Sequence, residues 1–74
     1  ELVVERALDA IRGADWTRLK LLLHPYLHWS TADGKKIRGR TNVLARLRDF
    51  TPTDPPRCHE LLDGQVHRWV EGTR

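Results

Sequence analysis

The chain has no methionine and a single cysteine, Cys58. One thiol excludes an internal disulfide, and with four scattered histidines it forms none of the paired-cysteine patterns that hold structural zinc. No metal and no other cofactor is expected, and the lone thiol points to a reducing, cytoplasmic setting. Long apolar runs are also missing, since the stretch Leu21 to Leu23 is as long as any, and no basic segment leads into a signal-like apolar run. A membrane-spanning helix and a secretory signal are therefore not expected. There is no glycine-rich phosphate loop and no nucleophile elbow, which removes the motif-bearing nucleotide and hydrolase classes. Charge of one sign is scarce as well: 13 Lys and Arg stand against 10 Asp and Glu, intermixed, for a net +3. That pattern is an ordinary solvated surface and does not demand nucleic acid.

What is present is 74 residues, enough for one domain over 1–74. A domain this short buries roughly 60% of the surface of its unfolded chain. Its core is marginal and no staple is visible, so self-association is expected. The missing methionine also admits an accessory domain detached from a larger protein.

Between Leu2 and Arg12 the apolar residues fall at Val3, Val4, Ala7, Leu8, Ala10 and Ile11, the spacing of one helix face. Gly13 suits a left-handed C-cap, and Asp15 suits the N-cap of a second helix carrying Trp16, Leu19, Leu22 and Leu23 inward. Pro25 ends that helix near His24, where the imidazole is expected to cap the free carbonyls. Tyr26 to Thr31 alternates as a strand, with Leu27 and Trp29 on one side and Tyr26, His28 and Ser30 on the other. A turn at Ala32 to Lys35 and an extended Lys36 to Arg38 follow. Thr41 is placed to cap a third helix with Val43, Leu44, Leu47 and Phe50 inward. The three prolines within Thr51 to Pro56 make a stiff connector.

Asp63-Gly64 between two extended runs is the preference of a two-residue type I′ hairpin. If Leu62 faces Gln65, regular pairing sets Leu61 against Val66, Glu60 against His67, His59 against Arg68 and Cys58 against Trp69. Neither face of such a hairpin is purely apolar, so both are expected to be partly covered.

Several short segments, in this order, resemble the nuclear transport factor 2-like superfamily, which includes the SnoaL-like proteins. Gly13-Ala14-Asp15-Trp16 resembles its first corner, and Leu22-Leu23-His24-Pro25 with Leu27-His28-Trp29 resembles the run into its first strand. Ile37-Arg38-Gly39-Arg40 with Val43 resembles the approach to its third helix, and Asp63-Gly64-Gln65-Val66 with Arg68-Trp69 its late hairpin. The resemblance implies an α+β, cystatin-like cone: three helices in the N-terminal half packed on a short, curved antiparallel sheet. It also implies a pocket in some members and frequent dimers through sheet faces. The chemistry stays open, because this scaffold hosts isomerases, cyclases, hydrolases and modules that do no chemistry.

The function expected from these readings is a homodimeric, non-catalytic or small-molecule-binding module. The alternative is an isomerase- or cyclase-type enzyme with an acid-base residue in a small apolar pocket. Asp33, Glu60 and His67 are the catalytic candidates; Glu60 and His67 are singled out because the expected register makes them cross-strand partners. In isomerase-like relatives a carboxylate near the end of the first strand takes a proton, and Asp33 in its glycine turn is the nearest match. Trp29, Tyr26 and His28 are the candidates for contacting a small apolar ligand. Trp69, beside Cys58 and with His67, is the expected dimer contact, since tryptophan is enriched at interface centres. Cys58 otherwise reads as a small buried hydrophobe. The basic stretch Lys35, Lys36, Arg38, Arg40, Arg46 and Arg48 carries no interleaved aromatics, so nucleic acid is not expected to be a partner.

Overall fold

The helical spacing at the N-terminus folds as α1 (Leu2–Arg12), which buries Val4, Ala7, Leu8, Ala10 and Ile11 and turns Glu5, Arg6, Asp9 and Arg12 to solvent. A computed structural model of the chain describes residues 2–52 and 54–72. At the corner after α1 the positive φ falls on Ala14, at 53°, and not on Gly13, whose amide still donates to the Asp9 carbonyl at 3.0 Å. Asp15 caps α2 (Trp16–Leu22) as expected, accepting from the Arg18 amide at 3.2 Å.

The first strand begins earlier than the alternation suggested. β1 (Leu23–Ser30) starts at the last turn of α2 and runs through Pro25. Proline is tolerated there because β2 (Lys36–Arg38) pairs with β1 only from His28 to Ser30, so that stretch lacks a β2 partner. α3 (Arg40–Asp49) buries Val43, Leu44 and Leu47, but its N-cap is Gly39 at φ 87° and not Thr41. Asn42 Nδ2 closes the corner by donating to the Arg38 carbonyl at 3.0 Å. Phe50 is exposed rather than inward, with the Arg46 guanidinium 4.7 Å above its ring. Of the connector Thr51 to Pro56, Thr53 lies outside the described residues.

β3 (Cys58–Leu62) and β4 (Gln65–Val70) form the predicted hairpin, with φ of 54° at Asp63 and 76° at Gly64, the two positive values a type I′ turn requires. The sheet order is β2-β1-β4-β3. Both flanking pairs are antiparallel, but the central pair, β1 with β4, is parallel, so the expected antiparallel sheet is a mixed one. The crossover through α3 returns the chain to run β4 alongside β1 in the same direction, and parallel pairing needs such a long connection.

The hairpin register also departs from regular pairing. Leu62 opposes Gln65 and Leu61 opposes Val66, but the ladder then slips, setting Glu60 against Arg68, His59 against Trp69 and Cys58 against Val70. His67 is the extra residue of a β-bulge. Without it, Val66 and Trp69 would face opposite sides; with it, both turn toward the helices and both are fully buried. Burial of an indole outweighs the local cost of one disrupted ladder rung. Trp69 stacks on Trp29 with centroids 4.8 Å apart and planes 5° from parallel. Around that pair lie Leu19, Leu23, Leu27, Val43 and Leu47. The helices cover this face of the sheet, and the other face is open.

Candidate functional site

The open face is built by strand alternation and by the bulge. Register aligns Arg38 on β2, His28 on β1, Arg68 on β4 and Glu60 on β3 in one row across the sheet. The neighbouring row is Lys36, Ser30, Val70 and Cys58. Ile37 points the other way, opposite buried Trp29, which is why the cations either side of it share the open face. Arg68 Nη1 lies 3.3 Å from Glu60 Oε1, but both side chains are more than half exposed, so this pair contributes little to stability.

The bulge places His67 on the same face as Arg68. Its ring lies 5.1 Å from that of His24 and 5.7 Å from that of His28, both edge to face, and His24 is 5.9 Å from Tyr26. His24 Nδ1 accepts the Tyr26 amide at 3.1 Å, so this imidazole braces the start of β1 and does not cap a helix. Among the described residues, no group of three or more histidine, cysteine or acidic side chains is placed to hold a metal ion. Two hollows open here, of roughly 240 and 340 Å³, and they share Ser30, Lys36 and Arg68 in their linings. Arg38 and His28 line the first; Arg57 and Cys58 line the second. A third hollow, roughly 270 Å³, lies on the helix side between Lys20, Arg40, Leu44 and Arg48.

No family model matches the chain, and no curated protein does. Solved structures do. A ketosteroid isomerase-like protein from Kribbella flavida superposes with a TM-score of 0.75 at 17% identity, over 96% of this chain and 77% of that one. An NTF-2-like protein of unknown function from Burkholderia xenovorans superposes with a TM-score of 0.68 at 15% identity, over 92% of this chain and 77% of that one. The fold is nuclear transport factor 2-like.

Within this nuclear transport factor 2-like fold the sequence-predicted residues separate. Trp69 is withdrawn from the surface into the core, so it is not the dimer contact expected of it. Cys58 is exposed and opposite Val70, neither buried nor beside Trp69. Trp29 is core as well, with its indole nitrogen donating to Glu71 Oε2 at 2.6 Å. Tyr26 and His28 do stand on the open face. Glu60 meets Arg68 and not His67, so the expected carboxylate–imidazole couple is not formed.

Asp33 sits in the turn after β1, where Thr31 Oγ1 donates to its carboxylate and the Lys35 amide donates to Thr31 Oγ1 at 3.0 Å. The Thr31 bond, helped by nearby Lys35 and Arg46, holds the Asp33 carboxyl below its ordinary 3.8 against a smaller opposing effect of desolvation. A carboxylate stabilised in this way is a poorer base than a free one. The sign for stability follows: the contribution is present above pH 3.8 and lost as pH falls through the lower folded value. An NMR titration of the Asp33 carboxyl is expected to show a midpoint below 3.8 that rises to the ordinary value in Thr31→Val. A wild-type midpoint at or above 3.8 would contradict this.

Sequence reasoning missed the convergence of Lys36, Arg38, Arg57 and Arg68. One signal was present: Lys36-Ile37-Arg38 is a cation–apolar–cation triplet, the alternation of a strand with one basic face. The signal for Arg57 and Arg68 was hidden behind the bulge and the non-local pairing of β4 with β1.

Proposed function

We propose that this chain is a non-catalytic binding module that takes an anionic ligand on the open face of its sheet. The observation that carries this reading is the row Arg38–His28–Arg68, with Lys36 beside it and Arg57 in the adjoining hollow, against the single carboxylate of Glu60 in the same row. Converging cations on a concave surface raise the local concentration of anions and orient them. The same cations weigh against a face-to-face homodimer, which would set Lys36, Arg38 and Arg68 against their own copies, and like charges across an interface cost several kcal/mol. Among the described residues, no helix is long and apolar enough to cross a membrane. Exposed Cys58 fits a reducing compartment, where a surface thiol stays unpaired.

The second reading, an isomerase-type enzyme, draws its support from the likeness to the Kribbella protein. Of its three candidate bases, Asp33 is weakened by Thr31 and Glu60 is engaged by Arg68, which leaves His67 on the open face.

Inorganic tripolyphosphate is the probe for the leading reading. Titration followed by amide NMR is expected to move His28, Lys36, Arg38 and Arg68, with the shifts much reduced in Arg38→Ala. Shifts confined to Lys20, Arg40 and Arg48, or none at low salt, would end it.

A further inference from the structure

Beside the cations of the open face runs a strip of rings. Tyr26, His24, His67 and His28 follow one another at 5.9, 5.1 and 5.7 Å between centroids. His28 also lines the hollow that holds Lys36, Arg38 and Arg68. We propose that this face binds single-stranded nucleic acid, with phosphates on Lys36, Arg38 and Arg68 and bases stacked on Tyr26 and the imidazoles.

The proposal rests on the anion-binding reading and adds base contacts to it. A plain polyanion would use the cations and leave the rings idle. Yet Tyr26, on an interior strand of the sheet, keeps 77% of its surface exposed, and its line of rings runs through His24 to His67 on β4 and back to His28 on β1. Bases offer a π-face whatever their sequence, so rings beside cations make a stacking platform with an electrostatic track. A duplex does not fit this arrangement. Its bases are stacked inside, and reading them from a groove calls for a helix or ribbon that enters it, whereas this face is a sheet surface with shallow hollows. Unstacked bases of a single strand can lie on such a surface.

Interleaving of cations and aromatics, absent along the basic stretch from Lys35 to Arg48, is present in space. Three adjacent strands contribute in turn: β2 gives Lys36 and Arg38, β1 gives Tyr26 and His28, and β4 gives His67 and Arg68. The bulge is what lets β4 supply a ring and a cation side by side to the same face.

The test is fluorescence anisotropy with a short oligouridylate and an abasic sugar-phosphate oligomer of equal length, alongside tripolyphosphate. Oligouridylate is expected to bind at low salt with a log–log salt slope of about −2, for three phosphates at roughly 0.7 each. The abasic oligomer should bind about tenfold more weakly. Tyr26→Ala, checked for folding by circular dichroism, should weaken oligouridylate about tenfold without changing the slope. Arg38→Ala should flatten the slope by about 0.7, and Arg48→Ala, on the helix side, should change neither. Equal binding of both oligomers, with Tyr26→Ala like wild type, would remove the base contacts and leave the anion reading standing. Binding of tripolyphosphate but of neither oligomer would overturn the proposal alone; binding of none of the three would take both readings down. Sensitivity to Arg48→Ala in place of Arg38→Ala would overturn the placement on this face.

Discussion

Trp69→Ala is expected to cost about 3–5 kcal/mol, a large share of the stability of so short a domain and enough to unfold one at the low end of the usual range. At the usual 0.05–0.15 kcal/mol per residue, a domain of this size has about 4–11 kcal/mol in all. Trp69 is fully buried, stacks on Trp29 and fills the centre of the layer between sheet and helices. Its removal leaves a cavity that Trp29, Val66 and the α1 residues cannot close without breaking the β1–β4 pairing. The loss also removes the reason for the bulge, so His67 and Arg68 no longer need to share a face. Urea unfolding followed by far-UV circular dichroism is the measurement. A midpoint within error of wild type would show that the stack is not the centre of the core. Trp69→Phe is expected to be far milder, because Trp69 Nε1 is buried with no hydrogen-bond partner among the described residues and phenylalanine removes that orphan donor. Tyr26→Ala, at an exposed position, should lie within about 0.5 kcal/mol of wild type.

The second large effect is expected at Glu71. Its carboxylate accepts the Trp29 indole at 2.6 Å and the Ala32 amide at 3.3 Å, while its own amide donates to the Ser30 carbonyl at 2.9 Å. One residue thus ties the end of β4 to the core and to the turn after β1. Glu71→Ala leaves the buried indole N–H unpaired, a cost of about 1–3 kcal/mol. For a domain of this length that lowers Tm by roughly 4–8 °C per kcal/mol. Glu71→Gln keeps one oxygen to accept the indole but puts a donor NH2 where the second carboxylate oxygen accepts the Ala32 amide, so it loses that bond and the charge assistance and should recover part of the loss. The Trp29 indole proton provides a direct readout, and it should shift strongly in the alanine variant and weakly in the glutamine variant. Equal stability of both variants would show that the bond does not bear on the fold.

Much of the architecture was legible because it is local. The α1 stripe, the Asp15 cap, the β1 alternation and the Asp63-Gly64 turn each depend on residues within a few positions of one another. The order of these elements was enough to suggest the fold that the solved structures share. The errors have equally specific causes. Thr41 reads as the cap of α3 because side-chain chemistry is visible in a sequence, whereas the φ of 87° that makes Gly39 the cap is not. Regular pairing sets Cys58 opposite Trp69, and the bulge at His67, which no local signal marks, moves Cys58 opposite Val70.

By itself, then, the amino-acid order determined three helices, a late hairpin, and the inward direction of Leu27, Trp29, Val43 and Leu47, since each follows from periodicity or turn chemistry. Only the tertiary structure decided that β4 lies parallel to β1, that Trp69 turns inward, and that Lys36, Arg38, Arg68 and the histidines come to one face. The physical reason is the same in each case. Stacking Trp69 on Trp29 joins residues 40 positions apart in the chain, and the gain from burying both indoles sets the register on which every open-face neighbour depends.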